Sequence, residues 1–124
     1  MLDKYRCLEK IAARRTDEIV VTSMSVSMPW AAHSDGPLDF AHVDSAMGHA
    51  ADFALGLAIA QPQRRVFVIN GDGSTLMCLG TLVTLAQRPA PNMIASDPLG
   101  SAGTMRSRRH APPSSTYTTH ARTR

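Results

Sequence analysis

The sequence predicts an α/β fold in three layers, a parallel β-sheet with helices on both faces. Three observations carry this. Helix and strand patterns alternate over residues 1–95 in the order helix, strand, helix, strand, helix, strand. The run Arg65-Val66-Phe67-Val68-Ile69-Asn70 is apolar without alternation, as in a parallel strand covered on both sides. A glycine-rich turn, Gly71-Asp72-Gly73-Ser74, joins that run to the next helical pattern.

Residues 3–15 predict an amphipathic helix, with Tyr5, Leu8, Ile11 and Ala12 at helical spacing and Asp3 as its N-cap. Thr16-Asp17 ends it. Glu18-Ile19-Val20-Val21-Thr22 is short and β-branched, which reads as a strand. Residues 23–44 read as irregular, punctuated by Pro29, Gly36 and Pro37. From Ser45 to Ala60 the pattern is a lead-in and then a helix whose apolar residues lie all round, so it is expected to be largely buried. Small residues at Gly48, Ala51, Ala54, Gly56 and Ala58 allow close approach to neighbours. After the glycine-rich turn, Leu76, Leu79, Val83 and Ala86 mark a helix over 74–87, with Leu82 on its flank; Pro89, Pro91 and Asn92 close it. Met93-Ile94-Ala95 begins another strand. Strand 66–70, helix 74–87 and strand 92–95 together form one right-handed crossover unit.

Composition narrows the function classes. No apolar run approaches the ~18 residues of a membrane span. The first residues, Met1 to Arg6, carry charges where a signal peptide is apolar. Cys7 and Cys78 fit neither a metal spacing nor a disulfide framework, so both read as reduced thiols of a cytoplasmic protein. Residues 1–94 hold eight Lys/Arg and nine Asp/Glu, whereas residues 95–124 hold five Arg and one Asp. The basic character therefore belongs to the tail. With one aromatic, Tyr117, and no recognisable motif, that tail is a poor nucleic-acid binder.

The tail differs in other ways. Beyond Ala95 the single Leu, Ile or Val is Leu99, and Ser, Thr, Arg, His and Pro dominate. Such a segment buries too little apolar surface to offset its ordering entropy. The chain thus divides into a partial α/β domain, 1–95, and a basic low-complexity tail, 96–124, expected to be disordered.

Asp72 is the first candidate for chemistry. It stands at the carboxyl end of a buried parallel strand, where open α/β sheets bind ligands. Gly71 and Gly73 let the backbone turn sharply and approach a ligand. Ser74 opens the next helix, whose N–H groups favour an anion. One carboxylate beside such a helix start suits Mg²⁺ bridging to a diphosphate. Taken alone, Gly-Asp-Gly also fits a plain surface turn.

A second segment adds context. Ser45-Ala46-Met47-Gly48-His49-Ala50 followed by Asn70-Gly71-Asp72-Gly73-Ser74 resembles the diphosphate-binding domain of thiamine diphosphate enzymes. The nearer likeness is to the cofactor-binding subunits or domains of sulfopyruvate and phosphonopyruvate decarboxylases. It covers roughly residues 4–94, with 45–92 the specific part. The resemblance implies a cofactor, thiamine diphosphate with Mg²⁺, and the decarboxylation of a 2-oxo acid. It implies Asp72 as Mg²⁺ ligand, with Gly71, Gly73 and Ser74 holding the diphosphate. Met47 matches the apolar prop under the cofactor, and Gly48 the small residue beside it. Met47 also fits simple core packing. His49 fits either an acid/base near the cofactor or a helix-surface histidine. A Rossmann-type nucleotide site is disfavoured, since no Gly-x-Gly-x-x-Gly follows a strand.

The sequence departs from the resembled family in two places. The family's metal motif continues further along with an Asp-Asn or Asn-Asn pair, but here that window reads Asp97-Pro98-Leu99-Gly100-Ser101 and no Asn follows Asn92. The change of character near residue 95 reads as a truncation or a disrupted reading frame in preference to an evolved tail. The glutamate that activates the cofactor in this family comes from a pyrimidine-binding domain or subunit, so the resemblance also implies that partner in a homo- or hetero-oligomer. The chain alone is expected to be inactive. The alternative from another class is a non-catalytic α/β fragment or interaction module.

Overall fold

The computed structural model of the protein describes residues 3–41 and 47–96. Four strands, β1 (Ile19–Thr22), β2 (Asp39–Ala41), β3 (Val66–Ile69) and β4 (Met93–Ser96), form one sheet in the order β2-β1-β3-β4. Every neighbouring pair is parallel. The helices are α1 (Lys4–Arg14), α2 (Met24–Ala31), α3 (Ala50–Ala60), α4 (Asp72–Met77) and α5 (Leu79–Gln87). The expected α/β class, with a parallel sheet between two helical layers, is the one observed.

Side chains alternate across the strands and so feed two cores. Ile19, Val21, Val66, Val68 and Met93 face α3, with Leu85 of α5 packed at the edge. Val20 and Ile69 face the other way, onto Leu8 of α1 and Val26 and Trp30 of α2. The apolar run of β3 is thus explained: its alternate residues serve opposite layers.

Helix α1 forms as its pattern predicts, and the Asp3 side chain accepts a hydrogen bond from the Tyr5 N–H at 2.9 Å. Residues 23–44 are not irregular throughout. Met24–Ala31 is helical and Asp39–Ala41 is a strand. Val26 and Trp30 are one turn apart and both buried, and this packing outweighs the cost of Pro29 inside the helix. Pro29 leaves the Ser25 carbonyl without its helical partner, and Lys4 Nζ donates to it at 3.3 Å.

Two further expectations are corrected. Helix α3 begins at Ala50, and Met47 and Gly48 form a turn before it. Of the preceding segment, residues 42–46 lie outside the described residues. The helix buries one side, Ala50, Ala51, Ala54, Leu55 and Ala58, and leaves Phe53 and Ile59 exposed, because the sheet contacts only one face of it. The helix over 74–87 begins earlier, at Asp72, and is broken at Cys78, whose φ −130° and ψ 57° are not helical. Leu76, Leu79 and Val83 keep their helical spacing but face outward, with relative exposures of 67%, 53% and 59%. Strand β4 runs one residue past the expected limit, since Ser96 pairs with Ile69. Asp97 and the tail, 97–124, lie outside the described residues, so the expected disorder is not addressed by them. Among the described residues no helix is long and apolar enough to cross a membrane.

Polar clamps close the amino-terminal edge of the sheet. Glu18 is buried, pairs with Arg65 at 2.5 Å and accepts from the Thr16 N–H at 2.8 Å. Burial works against its charge, but these partners win and hold its carboxyl below the usual range. Asn92 Nδ2 reaches the carbonyls of Ala58, Gln61 and Arg64 at 2.9, 3.1 and 2.9 Å, tying the end of α3 to the start of β4. Asn92→Ala strands these carbonyls and is expected to lower the unfolding free energy by about 1–3 kcal/mol. Urea denaturation of the two proteins checks this, and an unchanged midpoint refutes it.

Candidate functional site

In this sheet the chain leaves β1 toward β2 on one side and leaves β3 toward β4 on the other. The helices that follow β1 and β3 lie on opposite faces, α2 in one core and α5 against the other. The point between β1 and β3 is therefore a topological switch point, where two loops diverge and leave a crevice beyond the carboxyl ends of the strands. A cleft of about 360 Å³ lies there. Ser23, Met24 and Ser25 line it after β1, Gly71 to Ser74 after β3, and Met47, Gly48 and Met77 close it.

The turn after β3 is pinned by short-range bonds. Thr75 donates to the Gly71 carbonyl through its N–H at 2.9 Å and its hydroxyl at 3.1 Å, and Asn70 Nδ2 donates to Thr75 Oγ1 at 3.0 Å. Gly71 is thereby held at the N-cap of α4, with Asp72 as the first helical residue. Asp72 is exposed, and its Oδ1 accepts from the Gly73 N–H at 2.7 Å. A Cβ placed on Gly73 would meet nothing within 4 Å, so this backbone is open to a ligand.

Among the described residues, two buried hydroxyls at the cleft, Ser23 Oγ and Ser74 Oγ, have no hydrogen-bond partner, and neither has Asn70 Oδ1. Buried polar atoms seldom stay unpaired, so these hydroxyls suit a ligand rich in acceptor oxygens. Among the described residues lining the cleft, Asp72 is the single ionisable one. Among the described residues no three His, Cys, Asp or Glu side chains group closely enough to hold a metal unaided. The donor set fits a Mg²⁺ that takes one carboxylate from the protein and the rest of its oxygens from a phosphorylated ligand and water.

Gly48 is fixed by the fold itself. Its φ is +88°, and a Cβ there would lie 2.8 Å from Cys78 Sγ and 3.2 Å from the Ser74 carbonyl oxygen. The glycine lets the Met47–His49 turn lie flat against the junction of α4 and α5. Gly48→Ala combines a strained backbone with a clash, and is expected to cost about 1–3 kcal/mol. A thermal melt reads this directly; a melting temperature equal to that of the parent chain would contradict it.

The structure thus brings Met47, Gly48, Gly71, Asp72, Gly73 and Ser74, all marked by the sequence, to one cleft. Sequence reasoning missed Ser23, Met24, Ser25 and Met77. The first three sit at the start of α2, a helix that Pro29 disguised; Val26 and Trp30 at helical spacing were the available signal. His49 does not line the cleft and pairs instead with Asp52, Nδ1 to Oδ2 at 2.6 Å.

A doubly wound parallel sheet with a glycine-rich, hydroxyl-lined cleft at its switch point defines a protein that binds an anionic ligand at the carboxyl ends of its strands. Comparison with known proteins makes the class specific. The family model for the thiamine pyrophosphate enzyme C-terminal TPP binding domain matches residues 19–96, and the chain belongs to this family. It is 40% identical over 95 residues to the beta subunit of sulfopyruvate decarboxylase from Methanothermobacter thermautotrophicus, covering 76% of this chain and 50% of that protein. It is 49% identical over 49 residues to phosphonopyruvate decarboxylase from Streptomyces hygroscopicus, covering 40% of this chain and 12% of the relative. A third relative, 38% identical over 58 residues, is 3D-(3,5/4)-trihydroxycyclohexane-1,2-dione hydrolase from Shouchella clausii, with 47% of this chain and 9% of that protein covered. The chain therefore spans half the length of the first of these relatives and much less of the others. It is a thiamine diphosphate-binding domain of the kind found in decarboxylase-type enzymes.

Proposed function

We propose that the chain binds thiamine diphosphate together with Mg²⁺, and serves as the cofactor-binding part of a 2-oxo acid decarboxylase. The observation that carries this reading is the switch-point cleft, with its unpaired Ser23 and Ser74 hydroxyls and the lone carboxylate of Asp72. In this reading Asp72 ligates Mg²⁺. Gly71, Gly73 and the Ser74 hydroxyl hold the diphosphate, and Met47 with Gly48 supports the rings. When bound, the cofactor supplies the electron sink for loss of CO₂. The relatives named for sulfopyruvate and phosphonopyruvate support a 2-oxo acid as substrate.

The protein's own residues bind and orient; they do not supply proton transfer. Among the described residues the cleft has one ionisable group, and in this reading acid and base groups come from a pyrimidine-binding domain or subunit. The outward stripe of Leu76, Leu79 and Val83, beside the cleft residue Met77, supports a partner there, as does the relative named as a subunit. In this reading residues 1–95 form the binding domain, and the isolated chain does not turn over.

Calorimetric titration tests the reading. Thiamine diphosphate is expected to bind saturably with Mg²⁺ present and far more weakly with a chelator, while NAD and ATP do not bind. No saturable binding with Mg²⁺ would favour a non-catalytic module. Decarboxylation of a 2-oxo acid by the chain alone would refute the need for a partner.

A further inference from the structure

Behind the Met47–His49 turn, away from the cleft, lies a cluster of side chains with no part in the cofactor reading. Cys78 sits where α4 ends and α5 begins. Its Sγ lies 3.4 Å from His49 Nε2 and 3.8 Å from Nδ1. His49 is the N-cap residue of α3, and Asp52 follows in the first turn, with its Oδ2 2.6 Å from His49 Nδ1. The cluster joins residues 29 positions apart in the chain.

The chemistry of the three groups is directional. A carboxylate only accepts hydrogen bonds, so Asp52 places the imidazole proton on Nδ1 and leaves the lone pair on Nε2. Nε2 is also the nitrogen nearer to sulfur. With both nitrogens within 4 Å, the sulfur rests against the ring, and a small rotation of His49, whose side chain is 55% exposed, turns Nε2 onto the S–H. Nucleophile, base and orienting carboxylate then stand in the order that activates a thiol. The other thiol, Cys7, is also partly buried, but it lies on α1, and among the described residues no imidazole is within hydrogen-bond reach of it.

We infer that Cys78, His49 and Asp52 form a covalent modification site for soft electrophiles of the α,β-unsaturated carbonyl class. His49 Nε2 takes the thiol proton as Sγ bonds to the β-carbon. The π electrons move to the carbonyl oxygen as an enolate, which takes the proton back from the imidazolium. The thiol adds across the double bond: S–H and the C=C π bond break, C–S and C–H form, and no leaving group, oxidant or reductant is needed. The site matters because of its neighbours: Sγ already packs against Gly48, so an adduct has to push the turn that carries Met47 or the junction that carries Met77.

The test is alkylation of the full chain with limiting N-ethylmaleimide, followed by mass spectrometry of the peptides that hold each cysteine. Cys78 is expected to react at least about tenfold faster than Cys7. His49→Gln is expected to remove about tenfold or more from the Cys78 rate, the scale of a lost general base, while the Cys7 rate stays put. Asp52→Asn is expected to slow Cys78 by a smaller factor, because it keeps the imidazole but loosens its tautomer. If His49→Gln unfolds the chain, the Cys7 rate rises with it, and Asp52→Asn then decides. Equal rates at the two cysteines, or a Cys78 rate indifferent to both substitutions, would overturn the inference.

Discussion

Replacing Asp72 with alanine is expected to abolish the Mg²⁺-dependent part of thiamine diphosphate binding. In the proposed site Mg²⁺ is held by the protein together with the diphosphate, and Mg²⁺ in such sites usually takes one or two carboxylates from the protein. Asp72 supplies the only carboxylate among the described residues lining the cleft. The loss in affinity is expected to be at least about 100-fold, or ~2.7 kcal/mol. The fold should survive, since the side chain is exposed and its hydrogen bond with the Gly73 N–H is local to the first turn of α4. Asp97→Ala, outside the described residues, serves as the control and is expected to change little. Calorimetry with and without Mg²⁺ reads both variants. Undiminished binding by Asp72→Ala, or an equal loss in the two, would reject Asp72 as the ligand.

The placement of that carboxylate was legible in the sequence because it follows from short-range rules. An unbroken apolar strand ending in Gly71-Asp72-Gly73 puts the aspartate at a carboxyl end, and the structure puts it there. Helix α1 was legible for the same reason, being amphipathic with a side-chain cap at Asp3. What escaped notice depends on tertiary partners. The short strand β2 contains Asp39, a poor strand former by composition, and forms because its neighbours bind that carboxylate. Helix α2 has scarcely any one-sided apolar pattern and a proline, and is held by the burial of Val26 and Trp30. The stripe of Leu76, Leu79 and Val83 was visible as helical spacing, but spacing does not say which way a helix faces. Similarly, His49 and Cys78 meet only because Gly48 lets their segments touch.

Asp39 is where removal of one side chain is expected to cost most stability. It sits at the start of β2 and binds four groups from three segments. Arg15 and the Trp30 ring nitrogen donate to Oδ1 at 2.5 and 2.9 Å, and the Ser34 hydroxyl and Gly36 N–H donate to Oδ2 at 2.6 and 2.8 Å. The Arg15 and Asp39 side chains are 12% and 11% exposed. Burial pushes this carboxyl up, but the bonds from Ser34, Arg15, Trp30 and Gly36 overcome it and bring it from 3.8 down to about 2. A pKa lowered on folding means that the ionised form stabilises the fold. That contribution, about 2 kcal/mol, is whole above pH ~4 and is lost as pH falls through ~2. Asp39→Ala removes it at every pH and also leaves the Arg15 charge buried without its partner, so the expected loss at pH 7 is about 3–5 kcal/mol. That is a large part of the ~5–15 kcal/mol that holds a domain together. Asp39→Asn keeps the shape and some of the bonds, and is expected to lose less. Trp30, the one tryptophan of the chain, is 2% exposed and bonded to Asp39, so its fluorescence reports urea unfolding of all three proteins. Between pH 5 and pH 3 the parent should lose stability faster than Asp39→Asn, while Glu18, whose carboxyl is also held low, adds the same slope to both. Parallel acid limbs, or a loss below about 1 kcal/mol in Asp39→Ala, would show that the network contributes no more than an exposed surface pair.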